Sequence, residues 1–424
     1  MTTSDLDKAW ELVESGDVSA VMRHLRATAG HLEIRDLALV VEKAAGLVGF
    51  DDLAEASRTL ARKPRSAENL FDFGYACIEH GAAYAAIPAL AESLRRSPES
   101  RNVLLELASA YEREERHGEA VALLESRDAT LVDWPDRYLL VYNAVLAGDL
   151  ARARQQFGRL AAPTDADWHW AYGRLGGMLA RADAAAAVGP LDHEDLRGWQ
   201  FVLTGGVLAT ISPYGFGAGM VGRYAFQQDS VGTCRQGLDR LAAVLGATGA
   251  APASVSLLDD RGSRILGLAA ADVLGLPAVP YEPGRPDTVV VAYRLDDAGE
   301  GVVESLHQRA PGQVLFEHAT CWTSPPRVAA DVSVLLRQAG NAPWEKRLTA
   351  DPEGGAPDAR PEAEIAADVV GAEPDADPSG DADAPSDTTA DLAAFAAAVA
   401  SAWTARTSRD QCPSPGPVRS SRFR

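Results

Sequence analysis

Apolar positions over the first 185 residues recur at helical spacing. In residues 69–97, Leu70, Phe73, Gly74 and Cys77 share one helix face, and Ala86, Leu90 and Leu94 share a face of the next helix. Gly81 stands between the two, and Pro98 follows the second, where a helix cannot continue. The spacing therefore predicts a helix pair, and the pair repeats. Gly74 and Ala108, Cys77 and Tyr111, Ala86 and Ala120, and Leu90 and Leu124 each lie 34 residues apart, and Ala153 and Phe157 continue one residue short of register. Pro64 precedes Pro98 by the same interval, and residues 6–30 read as one more pair with Gly16 at its turn. Residues 165–185 predict a capping helix. There Trp168 and Tyr172 are expected to pack on a neighbouring helix, the alternative being an aromatic cage around a ligand or peptide side chain with Trp170.

From about residue 195 the helical period gives way to short apolar runs. Residues 255–258, 278–281, 288–293 and 314–316 read as strands, and residues 228–247, 265–274, 301–308 and 325–338 as helices between or around them. Valine-rich runs alternating with helices imply a mostly parallel sheet covered on both faces. The expected fold class is α plus α/β, multidomain: an α-helical superhelix over residues 1–185, a three-layer α/β domain over 195–345, and a tail over 346–424 that is acidic and disordered. A short helix at 390–406, with Leu392, Phe395, Val399 and Trp403 at helical spacing, is expected to dock on a partner or on the helical array.

Charge sharpens that division. Of a formal net charge of -20, residues 351–391 hold thirteen acids against one arginine. Such a segment with few large apolar groups is expected to stay unfolded. The acidic balance points away from nucleic acid and anionic membranes as partners. Cys77, Cys234, Cys321 and Cys412 lack metal-ligand spacing, so no metal site is expected. The start MTTSDLDKAW is unlike a secretory signal, which with free thiols points to the cytoplasm. The apolar run after Trp199 stops near Ile211 and contains Gly205 and Gly206, too short and broken to span a bilayer.

The helix pairs resemble the tetratricopeptide repeat. That family places small residues where its two helices cross, matched here by Gly74 and Ala86. Tyr111 and Ala120 match in the next copy, and Gly148, Ala153 and Phe157 in the third. The resemblance implies a superhelix whose concave face holds a protein or peptide partner. The segment from Val255 to Pro280 resembles the opening unit of phosphoribosyltransferases, implying a phosphorylated small molecule as ligand. That family follows a later strand with two acids and a hydroxyl-rich, phosphate-cradling loop. Asp296 and Asp297 match the acids, whereas Ala298, Gly299, Glu300 and Gly301 replace the loop.

Ligands of parallel α/β sheets bind beyond the carboxyl ends of the strands. The residues there are Asp259, Asp260, Arg261 and Ser263 after the first strand, Asp296 and Asp297 after the valine strand, and His318 and Cys321 after the last. The first six are candidate ligand-binding residues. His318 and Cys321, three apart, are candidate catalytic residues if an imidazole can hold a nearby thiol as thiolate in a turn. Glycines 215, 217, 219 and 222 mark an interdomain or lid loop; as a lid it would close over the sheet edge and bring Arg223 to an anion. No cofactor is named by any motif. The expected function is that of a protein-interaction scaffold with an α/β domain. The alternative is an enzyme or ligand sensor whose phosphoribosyltransferase-like domain binds a phosphorylated sugar or nucleotide.

Overall fold

The computed structural model describes residues 4–346, 355–375, 380–418 and 420. They form two compact units that divide after Tyr172. The first is helical throughout: α1 (Asp5–Glu14) with α2 (Val18–Thr28), α3 (Ile34–Val48) with α4 (Asp51–Arg62), α5 (Ala67–Glu79) with α6 (Ala83–Arg96), α7 (Arg101–Arg113) with α8 (His117–Glu125), α9 (Tyr138–Leu146) with α10 (Leu150–Phe157), and the start of α11 (His169–Ala186).

The turn chemistry explains why the pairs repeat. Gly49, Gly81, Glu115 and Gly148 each take left-handed backbone at the turn inside a pair. The next amide then reaches back five residues: Phe50 N to Ala45 O (3.0 Å), Ala82 N to Cys77 O (2.8 Å), Arg116 N to Tyr111 O (2.8 Å) and Asp149 N to Ala144 O (2.9 Å). This is the Schellman closure, in which a left-handed residue ends one helix so that the chain can reverse. The small residues fall where helices meet. Ala86, Ala120 and Ala153 are fully buried, and a Cβ added to Gly74 would stand 2.5 Å from Leu90 Cγ. Trp168 packs among Trp134 (5.4 Å between centroids) and Tyr138 (5.8 Å), and Tyr172 stacks on Phe157 (5.1 Å), which is the packing role rather than the cage; Trp170 is exposed.

The second unit continues with α12 (Leu196–Thr204), β1 (Val207–Leu208), β2 (Tyr224–Gln228), α13 (Val231–Thr248), β3 (Ser254–Leu257), α14 (Arg261–Leu274), β4 (Ala278–Pro280), β5 (Thr288–Ala292), α15 (Glu300–Ser305), β6 (Val314–Cys321), β7 (Val332–Asn341), α16 (Glu362–Gly371) and α17 (Thr389–Thr404). The strand order is β1-β7-β6-β5-β3-β4, with every pair parallel. β2 adds to the same edge of β7 as β1, so the two short strands cover successive halves of β7: Val207 pairs with Val332, and Tyr224 with Arg337. Alternate strand residues serve opposite layers. Leu257 and Val291 face Gly267 of α14, whereas Val290, Ala292 and Leu315 form a core with Leu295, Leu306 and Val328 on the other face. The helix expected over residues 325–338 is instead β7. Its apolar residues fit a helical face by spacing, but Val332 to Arg337 are buried on both sides as a central strand requires.

The acid-rich end departs most from expectation. Residues 347–354, 376–379, 419 and 421–424 lie outside the described residues. The rest does not behave as a disordered tail: α16 packs on α14, and α17 packs on α13 and buries Leu392, Phe395, Val399 and Trp403. The helix sought at 390–406 thus exists and docks within its own α/β unit. Beyond it, Arg406 and Arg409 enter the interior and meet Asp331, which is wholly buried. The Asp331 carboxylate accepts from Arg409 Nε (2.9 Å) and Nη2 (2.7 Å), Arg406 Nη1 (3.1 Å) and Leu315 N (2.8 Å). Trp403 Nε1 donates to its backbone carbonyl (3.0 Å). Burial opposes the charge, but the arginines outweigh it and hold Asp331 below the usual carboxylate range.

Two outcomes follow. Gly74→Ala is expected to destabilise the helical unit by about 1–3 kcal/mol by overpacking against Leu90, as read from urea unfolding. Asp331→Asn is expected to cost the α/β unit about 3–5 kcal/mol by leaving buried guanidinium groups uncompensated. Limited proteolysis should then cut residues 405–418 first, and equal protection in both proteins would refute the pinning role.

Candidate functional site

The sheet has one topological switch point. From β3 the chain passes through α14 to β4 on one side, and from β5 it passes through α15 to β6 and then β7 on the other. The carboxyl ends of β3 and β5 therefore diverge and leave a crevice where such folds bind ligands. A cavity of 360 Å³ lies there, lined by Asp260, Arg261, Tyr293, Arg294, Trp344 and Lys346 among others.

Each wall has a local cause. Asp260 is the N-cap of α14: its Oδ1 accepts from Ser263 N (2.8 Å), while its Oδ2 is buried without a hydrogen-bond partner. Ser263 Oγ accepts from Tyr293 N (3.0 Å), tying the start of α14 to the end of β5. The Tyr293 ring meets Trp344 edge-on at 5.1 Å. The cations are largely occupied. Arg294 pairs with Asp297 (2.7 Å) and Glu345, and Arg261 Nη2 donates to the carbonyls of Asp358 (2.7 Å) and Arg360 (3.0 Å).

Beneath the crevice lies a buried polar cluster. Asp229 accepts from Tyr293 Oη (2.8 Å), His318 Nε2 (2.8 Å), Ser230 N (3.0 Å) and Thr233 Oγ1, and its backbone amide donates to Asn341 O (3.0 Å). Burial works against the charged carboxylate, but His318 and the donated hydrogen bonds of Thr233 and Tyr293 keep Asp229 below its ordinary value. Burial pushes the Tyr293 phenol and the Cys234 thiol up. Asp229, Cys234 and His318 bring Oδ2, Sγ and Nε2 within 4.8 Å of one another, a donor set of the kind that holds zinc. The hydrogen bonds already satisfy Asp229, however, and His318 Nδ1 is buried against Gly237 with no acceptor of the kind that orients a metal-bound imidazole. Cys234 Sγ and Asp229 Oδ2 both address Nε2, at 3.8 and 2.8 Å, so the imidazole does not relay a proton between them. The cluster acts as a hydrogen-bonded pin under Tyr293.

Of the residues proposed from sequence, Asp260, Arg261 and Asp297 line the crevice. Ser263 is buried just behind it, linking its walls. Asp259 and Asp296 are exposed outside it. Arg223 is buried elsewhere, over the Trp322 ring (5.7 Å) and donating to Met220 O (3.2 Å), so its loop is not a lid bringing it to this crevice. His318 and Cys321 do not meet. Both lie within β6, where residues three apart face opposite sides. Cys321 Sγ contacts Thr323 Oγ1 (3.4 Å) and Gln338 O (3.5 Å) instead. The sequence reading missed Tyr293, Trp344 and Asp229. For Asp229 one signal was present: Ser230 and Thr233 form the capping box that starts α13.

Glu317 is the other buried acid at this edge. It accepts from Leu295 N (2.8 Å) and Thr320 Oγ1 (2.6 Å), holding the turn that follows Arg294. Burial pushes its carboxyl up to about 7, despite those hydrogen bonds. Because the folded value lies above the ordinary one, its contribution to stability is full below about pH 4.5 and is lost as pH rises through about 7. Glu317→Gln should therefore flatten the fall in stability between pH 5 and 8. At pH 8 the variant should exceed the parent by on the order of 2 kcal/mol, measured by urea unfolding at each pH; parallel profiles would refute this.

No protein-family model matches the chain, and no curated protein matches it. Among the described residues, no helix is long and apolar enough to cross a membrane.

Proposed function

We propose that the protein is a ligand-responsive interaction scaffold: its tetratricopeptide-like helical unit holds a polypeptide partner, and its α/β unit binds a small polar molecule in the β3/β5 crevice. The observation that carries the ligand reading is Asp260 Oδ2, a buried acceptor without a donor at a topological switch point. An orphaned acceptor in a crevice is satisfied by a ligand that brings a hydrogen-bond donor. With Tyr293 and Trp344 as aromatic walls and three acids facing three cations, the lining suits a molecule with an amino group beside a flat or apolar part. A phosphorylated ligand is less well served, because the Asp260 carboxylate stands at the start of α14 and already takes the Ser263 amide there.

Support for the polypeptide partner comes from the helical unit. The pairs from α3/α4 to α9/α10 share one closure, and Tyr75 stands exposed on α5, stacked on Phe71 (6.3 Å). A 530 Å³ hollow between α3 and α4 is lined by Arg35, Arg58 and Arg62 with Glu42, which favours an acidic segment.

Thermal unfolding of the full chain with amino acids, nucleosides and sugar phosphates tests the ligand reading. Stabilisation by amino-bearing compounds is expected, and its loss in Asp260→Asn. Stabilisation by sugar phosphates that survives Asp260→Asn would overturn the proposed ligand class, and no stabilisation by any compound would remove the ligand from the proposal.

A further inference from the structure

A second site lies apart from the crevice, where β1 ends. Arg197 of α12 and Arg240 of α13 are 6% and 5% exposed, and both converge there. Arg197 Nε donates to Leu208 O (2.7 Å), Arg197 Nη2 to Ala209 O (3.3 Å), and Arg240 Nη1 to Ala209 O. The carbonyls at the end of the strand thus fix both guanidinium groups from within the sheet unit. Arg197 Nη2 and Arg240 Nη1 also meet one side chain, that of Asp387 from the acid-rich segment. Asp387 pairs with Arg197, accepts from Arg240 Nη1 (2.7 Å) and accepts from Ile211 N (2.9 Å). Arg240 Nη2 also donates to Asp387 O (2.7 Å).

Three features separate this from a simple tether. Two buried guanidinium groups face a single carboxylate. A cavity of 550 Å³ adjoins it, lined by Thr210, Gln227, Thr233, Gln236 and Arg240 on one side and by Gly380, Asp381 and Ala384 on the other. Within that lining, Arg240 Nε and Thr210 Oγ1 are buried with no hydrogen-bond partner. Planar, charge-assisted hydrogen bonding of this kind is how arginine recognises carboxylates, and orphaned donors beside it call for further acceptors.

We propose that Arg197, Arg240 and the Ile211 amide form a binding site for a small carboxylate ligand, and that Asp387 occupies it as an internal mimic. The carboxylate of the ligand takes the three donor groups that Asp387 holds. Its polar remainder fills the cavity, where Arg240 Nε and Thr210 Oγ1 receive its acceptors. At the guanidinium pair one carboxylate replaces another, and Asp387 passes to water. Asp387 immediately precedes Thr388, the N-cap of α17, so release changes how the start of that helix is held.

The test uses the full chain, with malonate as probe and sodium chloride at equal ionic strength as reference. Asp387→Ala is expected to unfold about 5 °C or more below the parent in chloride and to recover at least half of that loss in tens of millimolar malonate. Adding Arg240→Gln should abolish the recovery. Absence of recovery beyond chloride overturns the proposal, and equal recovery in phosphate overturns the carboxylate assignment. A second measurement does not depend on the variant folding. In the unaltered chain, malonate should accelerate proteolytic cleavage between residues 380 and 388 severalfold over chloride, and an unchanged rate would count decisively against displacement of Asp387.

Discussion

The α/β unit depends on buried carboxylates that gather donors from distant parts of the chain. Asp331 is the clearest case. Fully removed from solvent, it binds the Leu315 amide of β6 and guanidinium groups from Arg406 and Arg409, more than seventy residues away. An ion buried to that degree is tolerated only when its attraction to partners and its hydrogen bonds repay the lost hydration. The guanidinium groups meet the same demand through carbonyls: Arg406 donates to Ala329 O (3.0 Å) and Arg409 to Leu306 O (2.8 Å). Asp229, also buried, and the part-buried Asp387 gather distant donors in the same way at two other places. The C-terminal segment is thereby an integral layer of the fold.

That constraint also places the crevice. The order of the strands opens the carboxyl ends of β3 and β5, but topology alone leaves the walls undefined. Tyr293 defines them, because its amide is held by Ser263, its phenol by Asp229, and its ring by Trp344. Asp229 in turn fixes the start of α13 through Ser230 and Thr233 and reaches β6 through His318. The floor of the crevice is therefore tied to a helix and two strands through one buried anion. Such support on rigid elements is what lets a few polar groups recognise a ligand.

How legible this was in sequence depended on whether the physics was local. The helix pairs were visible because left-handed turn residues such as Gly81 and small crossing residues such as Gly74 must recur with the repeat. β5 was visible because five consecutive buried residues are β-branched or small. β7 was misread because an unbroken buried strand has no period of two to distinguish it from a helix. β1, with two residues, carries no pattern at all. The acid-rich end was read as disordered because composition counts charge but does not see the cations it will meet: Arg197 and Arg240 lie about 190 and 147 residues before Asp387. His318 and Cys321 looked like a pair only while the strand was thought to end before them. The extra residues of β6 put them on opposite faces.

The resemblance to phosphoribosyltransferases illustrates a further limit. A strand, a turn and an alanine-rich helix are present from Ser254 to Leu274, and they build the expected layer of a parallel sheet. What such a unit binds is set by who uses the free amides at the start of the helix. In this chain the user is Asp260, whose Oδ1 takes the Ser263 amide and whose Oδ2 adds an unsatisfied acceptor to the crevice. One carboxylate at that position takes an amide that an anion would otherwise meet and brings its own negative charge to the helix start. The strand, turn and helix thus fix the layer, whereas the polar groups that line the crevice follow from the capping residue.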